Sequence, residues 1–450
     1  MTVHPRLHKP ERLAKELLRP FYLRWLYFSL FPTQKPRSFV NCWNYPACPL
    51  DSEAAAELLC KEGPPPTFLF LPMSNWHARM QRTEHLAACL ANLGHTCFIL
   101  NPYLGRQFPS VYFRDKIHRI SSLARGLTEV HVRLPREPVY YHRLLTRQEN
   151  HILVTALEKI LCSLRWQSVV QIVSLPTWFR IAAELKAKYR FPIIYDCHDL
   201  LEGFRDVHAT VKNAERELLE TCDLLVFSSE YLQQFKLRQS PNMMERSVVL
   251  RNAADPLHFS PSLEEKTPRR RSLSQSRLIG YVGSLDDWFD VDSVERSATS
   301  HPNWRFQLLG RIECSNVRRL QRLSNIEFFG EVPYADLPQF LIQFDVALIP
   351  FIKNDLTLSA SPIKLYEYFS CGIPVVSTRL PEVERFADMC YLADDPVEFV
   401  SQLDRAAMEV DAGLRLRRRQ VALKETWCSR AKELRDLAVS LCPPVQANFP

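Results

Sequence analysis

Ser359-Ala-Ser-Pro-Ile-Lys-Leu-Tyr-Glu-Tyr-Phe-Ser-Cys-Gly-Ile-Pro-Val-Val376 reads as a loop, a capped helix and a buried strand. Ser361 suits an N-cap, Pro362 the first helical position and Gly372 the stop. Pro374-Val-Val-Ser377 continues as a short buried strand. A helix start carries unpaired backbone N–H groups and the positive end of the helix dipole, so it holds phosphate oxygens well. Lys364 in the first turn adds a charge to the same anion. One turn on, Glu367 supplies a carboxylate able to accept two hydrogen bonds from a ribose diol. In outline this is a nucleotide-diphosphate site. An ordinary helix-to-strand unit with a surface Lys–Glu pair has the same pattern.

The run from Ser361 to Val376 resembles the nucleotide-sugar motif of family-four retaining glycosyltransferases, a family with the GT-B fold. The resemblance implies that Glu367 binds the donor ribose and that the helix start faces the diphosphate. Many family members carry a second Glu, separated from the first by seven residues; here that position is Ser359. Further likenesses follow in the family's order. Val248-Val-Leu-Arg-Asn-Ala-Ala-Asp-Pro-Leu-His-Phe259 is similar to the junction between the two domains. Cys222 to Leu232 resembles the strand before that junction, Leu278 to Leu285 the first strand and loop of the donor domain, and Trp304 to Gly310 its second strand. Trp427 with Arg430-Ala-Lys432 is similar to the closing helix. Ser-Pro-Ile-Lys, Trp288-Phe289 and Trp76 resemble most the bacterial enzymes that build cell-surface polysaccharides. The implied donor site comprises Gly283, Ser284, Arg311, Ser359, Ser361, Ile363, Lys364 and Glu367. The loop Gly283-Ser-Leu-Asp-Asp-Trp-Phe-Asp290 departs from the family pattern, because it holds no basic residue.

Working outward, short apolar runs alternate with helical patterns, which predicts α/β architecture with parallel sheets covered on both faces. Strands are expected at 67–71, 96–100, 128–133, 168–173, 191–196, 223–228 and 247–250, with helices at 80–93, 148–164, 178–188 and 212–221. A second unit places strands at 278–282, 304–309, 326–329, 345–349, 374–377 and 389–392, and helices at 291–300, 315–323, 334–342, 362–371 and 396–441. The predicted fold is two doubly wound, Rossmann-like domains facing across a cleft, with ligands at the carboxyl ends of strands. The boundaries are 1–66 for a basic aromatic segment, 67–255 for the acceptor-side domain, 256–277 for a linker, 278–425 for the donor domain and 426–450 for a closing helix and tail.

Chemistry on the acceptor side centres on Ile193-Ile-Tyr-Asp-Cys-His-Asp-Leu200. His198 and Asp199 lie just past a strand, where open sheets present reactive groups. A lone histidine there often serves only a structural hydrogen bond, but the resemblance implies a His-Asp pair facing the donor sugar. Trp76, Arg79 and Arg82, in the loop after the first strand, either line the acceptor side or cap and solvate their own helix. Asp290-Val-Asp292 has the look of a metal-binding D-x-D, yet it opens a predicted helix, where acids complement the dipole. The resemblance implies metal independence, so no metal and no cofactor beyond the nucleotide sugar is expected.

Composition excludes several alternatives. The chain has 450 residues, 46% hydrophobic and 24% charged, as in folded multidomain proteins. The 11 glycines and the lack of a G-x-G-x-x-G or G-x-x-x-x-G-K-[ST] argue against the Gly-rich phosphate loops of P-loop or dinucleotide-binding proteins. Eight Lys/Arg against Glu11 and Glu16 give residues 1–37 a charge of +6, leaving +1 of the total +7 for the rest. Nucleic-acid binding therefore has little electrostatic support. Phe21 to Phe31 is too short to span a bilayer and contains Arg24; it suits either an anchor on an anionic membrane surface or a helix packed on the protein body. Thirteen cysteines without C-x-x-C pairs, and no recognisable signal peptide, suggest reduced thiols in the cytoplasm, at most peripheral to the membrane's inner face. The expected activity is transfer of a sugar from a nucleotide-diphosphate sugar to a glycan or lipid-linked acceptor. An epimerase of the same fold, or a binding protein that has lost turnover, would share most of these features.

Overall fold

The computed structural model describes residues 66–74, 76, 80–101, 118–132, 134, 142–162, 168–205, 207–238, 240–259 and 276–442. The expected N-terminal anchor, most of the linker and Arg79 lie outside the described residues.

The first sheet contains β1 (Thr67–Leu71), β2 (Cys97–Leu100), β3 (His118–Ala124), β4 (Leu127–Val132), β5 (Val169–Val173), β6 (Ile193–Cys197), β7 (Leu224–Phe227) and β8 (Ser247–Val249). Their spatial order is β3-β4-β2-β1-β5-β6-β7-β8, all parallel except the β3–β4 pair. Sequence reading missed β3, because His118-Arg-Ile-Ser-Ser-Leu-Ala124 lacks the continuous apolar run of a strand buried on both faces. Among the described residues it is an edge strand with one partner.

Burial explains why the other strands were legible. Successive side chains point to opposite faces, so Phe68 and Phe70 enter one core cluster while Leu69 and Leu71 enter another. The first cluster is completed from far along the chain. Trp427, Ala431, Leu434 and Ala438, on the last helix (Trp427–Leu441), return to cover the first sheet beside the helix Arg82–Asn92.

The second sheet contains β9 (Leu278–Val282), β10 (Arg305–Leu309), β11 (Ile326–Gly330), β12 (Val346–Ile349), β13 (Val375–Thr378) and β14 (Cys390–Ala393). Its order is β11-β10-β9-β12-β13-β14, parallel throughout. Strand order therefore reverses between β9 and β12, and ligands of open parallel sheets gather at the carboxyl ends of such a reversal. The expected doubly wound architecture holds for both units. Two helical expectations change form: 315–323 is a 3-10 segment (Ser315–Arg322), and 334–342 breaks at Pro338 into a 3-10 turn and a short helix (Leu337–Leu341). Among the described residues no helix is long and apolar enough to cross a membrane.

Candidate functional site

The helix α1 (Ile363–Ser370) leaves the loop after β12, at the point of strand reversal. Its C-terminus is closed by Gly372 at φ +70°, whose N–H reaches the Phe369 carbonyl while that of Ile373 reaches Tyr368. Its N-terminus departs from expectation. Pro362, not Ser361, occupies the N-cap, and among the described residues no side chain caps the helix. Ser361 is committed elsewhere: its carbonyl accepts from Asn252 Nδ2 at 2.7 Å and its Oγ from the Asn252 N–H at 3.4 Å. Of the first-turn N–H groups of α1, that of Leu365 turns back to the Pro362 carbonyl at 3.1 Å, and those of Ile363 and Lys364 have no partner among the described residues.

Lys364 projects from that first turn into an aromatic cradle. Its Nζ lies 4.7 Å from the centres of both the Tyr281 ring on β9 and the Phe351 ring just past β12, and donates to Tyr281 Oη at 3.4 Å. Burial pulls its pKa down to about 8, against the opposing charge of Glu367. The Gly283 backbone comes so close that a Cβ there would lie 2.7 Å from Nζ. Gly283 and Gly310 also touch: a Cβ on Gly310, at φ +157°, would lie 1.8 Å from the Gly283 carbonyl oxygen. Only glycine fits at position 310, so the ends of β9 and β10 are pressed together beside the Lys364 ammonium.

Glu367 is 7% exposed. Burial raises its carboxyl to about 7, with the Lys364 charge opposing, and among the described residues no hydrogen bond offsets the desolvation. Tyr334 is a nearby neighbour, its hydroxyl pushed up first by burial and then by the Glu367 charge. A buried carboxylate left without donors is costly unless something else supplies them. A ligand diol is such a source.

This strain yields a prediction about stability. The folded carboxyl titrates at about 7 rather than the ordinary 4.5, so the folded state binds the proton more tightly and loses stability as pH rises between those values. Glu367→Gln removes the penalty. Its unfolding free energy is expected to exceed that of wild type by about 3 kcal/mol at pH 8 and to match it near pH 4. Denaturant unfolding at both pH values checks this; an equal difference at both would contradict it.

The remaining donor-side expectations are mixed. Ser284 sits in the loop after β9 and gives its carbonyl to Tyr281 Oη at 2.9 Å. Arg311 is exposed and ion-paired with Glu313. Ser359 is buried with its hydroxyl on the Asp355 carbonyl at 2.6 Å, and its own carbonyl accepts from Ser229 Oγ at 2.6 Å. Ile363 packs its side chain against the first domain's core, leaving only its backbone toward the helix start. Asp290 caps the helix Val291–Ser300 by accepting from the N–H groups of Asp292 and Ser293, and Asp292 pairs with Arg319, which is the helix-start reading of that pair. Among the described residues no group of three or more His, Cys, Asp or Glu is placed to hold a metal ion.

On the first domain, His198 follows β6. Its Nδ1 lies 3.0 Å from the Asp196 carbonyl oxygen and 3.6 Å from Asp196 Oδ2, and its Nε2 lies 4.0 Å from Asp199 Oδ2. Burial lowers the imidazole pKa, but the Asp196 hydrogen bond and the Asp199 charge outweigh it and the net direction is up. Burial raises Asp199 in turn.

Arg82 is a correction. It is 1% exposed; its Nε donates to both Asp196 carboxylate oxygens, at 2.9 Å and 3.0 Å, and its Nη2 lies in ion-pair contact with Oδ1 at 2.8 Å. Its guanidinium is turned into the protein, where a buried charge needs a buried partner, rather than solvated or capping its own helix. Trp76 is half-buried against the first domain's core. Asp196 and Asn252, the partners of Arg82, are not among the residues singled out from sequence, although a carboxylate inside the apolar strand Ile193–Cys197 is itself a signal of an unseen cationic partner.

Residues 276–408 match the family model described as glycosyl transferases group 1. A Bacillus subtilis protein described as a glycosyltransferase of teichuronic acid biosynthesis, TuaH, is 24% identical over 257 residues, covering 52% of this chain and 64% of that one. The chain thus spans less than two thirds of that relative's length. Among solved structures, sucrose-phosphate synthase from Thermosynechococcus elongatus aligns with TM-score 0.64 at 14% identity, covering 84% of this chain and 99% of that one. An Anabaena protein, HepE, in complex with UDP and glucose, aligns with TM-score 0.57 at 14% identity over 83% of this chain and 99% of that one. An E. coli trehalose-6-phosphate protein bound with UDP-2-fluoro glucose aligns with TM-score 0.58 at 13% identity over 83% and 99%. These likenesses, with the two doubly wound sheets, establish the GT-B fold.

Proposed function

We propose that this GT-B protein transfers a sugar from a nucleotide-diphosphate sugar to a hydroxyl of a glycan or lipid-linked acceptor, with retention of configuration and without a metal ion. The observation that carries the reading is the meeting of Lys364, Gly283, Gly310 and Glu367 at the strand reversal of the second sheet. The UDP complexes among the structural neighbours support a nucleotide-sugar donor.

In this reading Glu367 accepts both hydroxyls of the donor ribose, and the diphosphate lies against the open N–H groups of α1. Negative charge grows on the diphosphate as the glycosidic bond breaks. Lys364 and the helix start are already in place, so they stabilise that charge with little reorganisation. His198, held by Asp196, donates a hydrogen bond to the donor sugar from the facing domain, and Asp199 keeps it protonated. The acceptor hydroxyl enters from the first domain and yields its proton to the departing phosphate oxygen. Incubation with nucleotide sugars and membrane-derived acceptors, followed by NMR of the anomeric proton, tests the reading. Inversion of configuration, or conversion of donor without acceptor, would refute it; the latter would indicate an epimerase.

The basic, aromatic residues 1–37 fit an acceptor at an anionic membrane surface. The 450-residue chain is expected to float with vesicles containing phosphatidylglycerol, and the same chain lacking residues 1–37 to stay at the bottom. Equal flotation would exclude that role.

A further inference from the structure

One buried polar chain runs from the acceptor-side histidine to the entrance of α1. Asp196 holds His198 Nδ1 through its main-chain carbonyl at 3.0 Å, with its carboxylate 3.6 Å from the same nitrogen, and that carboxylate accepts from Arg82 Nε at 2.9 Å and 3.0 Å. Arg82 then spends Nη1 on Asn252 Oδ1 at 3.0 Å, and Asn252 passes its Nδ2 to the Ser361 carbonyl at 2.7 Å. Arg82, Asp196, Asn252 and Ser361 are at most 6% exposed. Four separate segments contribute: the helix Arg82–Asn92, strand β6, the segment after β8, and the loop that opens α1.

We propose that Arg82, Asp196 and Asn252 are positioning residues for the transfer reaction, a single hydrogen-bonded tether that fixes His198 of one domain relative to the phosphate-facing end of α1 in the other. The inference rests on the proposed transferase reading for its kinetic part only. Two features favour a tether over separate structural bonds. The planar guanidinium divides its donors between the two partners in a fixed fork, so their relative position is set by covalent geometry. Asn252 uses its backbone N–H as well as both side-chain polar atoms, the N–H and amide toward Ser361 and the amide oxygen toward Arg82. The charged groups facing His198 are Asp196 and Asp199 from its own segment, and Arg82 and Glu84 from the helix Arg82–Asn92.

Asn252→Ala cuts the tether without removing a charge. Donor and sugar-acceptor groups then lose alignment, and kcat is expected to fall about tenfold to a hundredfold. Affinity for the free nucleoside diphosphate, which the second domain binds by itself, should stay within about twofold. Arg82→Lys keeps the charge but not the fork, and should show the same split between kcat and affinity. Asp196→Asn removes the charge that favours protonated His198, so the imidazole titration, followed by NMR of carbon-13-labelled histidine, should move down by about one pH unit or more. A solely structural role predicts otherwise: Asn252→Ala and Arg82→Lys would be less stable yet turn over normally per folded molecule. That result, or an unmoved His198 titration in folded Asp196→Asn, overturns the inference. If wild type transfers no sugar at all, the transferase reading falls, and the titration alone still decides whether Asp196 governs His198.

Discussion

Glu367→Ala is expected to lower kcat/KM for the nucleotide sugar by roughly a hundred- to a thousandfold. A buried carboxylate accepting two hydrogen bonds from a diol contributes about 3 to 4 kcal/mol, since hydrogen bonds to charged groups are worth roughly 1.5 to 3 kcal/mol each. The free protein makes the point sharper. Glu367 stands desolvated with its pKa raised to about 7, and among the described residues nothing donates to it. Groups in that condition cluster at functional sites. The substitution should therefore separate activity from stability, with catalysis lost while the fold is kept. Turnover assays across donor concentrations check this, and unchanged kcat/KM would remove Glu367 from the donor site.

Gly310→Ala should be nearly as damaging for a different reason. The new Cβ would be 1.8 Å from the Gly283 carbonyl oxygen, so the backbone ends of β9 and β10 must separate by more than an ångström. Lys364 Nζ rests against that same Gly283 backbone, and displacement on this scale costs about a hundredfold in a positioned site. Gly330→Ala provides the control. Gly330 has φ +68° but no atom within 4 Å of its would-be Cβ, so only the backbone strain of about 1 kcal/mol remains. Nucleotide affinity should collapse for Gly310→Ala and persist for Gly330→Ala; equal losses would mean that the β9–β10 contact does not shape the site.

What the chain discloses on reading and what it withholds follow from range. Strands buried on both faces, such as Phe68-Leu-Phe-Leu71 or Val346-Ala-Leu-Ile349, write their environment into adjacent letters. The edge strand His118–Ala124 does not, because among the described residues one side of it has no neighbouring strand. Lys364, Glu367 and the Gly372 stop lie within one short segment, where local spacing carries their relation. Arg82 pairs with a carboxylate 114 positions away, and Asn252 meets Ser361 across 109. No local pattern separates a buried arginine in such a network from a solvated one on a loop. Ser361 fails as a predicted cap for the same reason: its competitor for hydrogen bonds comes from the other domain.

The most direct test of the central claim is binding of nucleoside diphosphates to the wild-type protein and to Glu367→Ala, read as thermal unfolding against UDP, GDP, ADP and dTDP. A ligand at about a hundred times its dissociation constant adds roughly 2.7 kcal/mol to the native state. One of the four is expected to raise the wild-type melting temperature and to have little effect on Glu367→Ala. No shift with any of them, or an equal shift in both proteins, would contradict a nucleotide-sugar site at the start of α1.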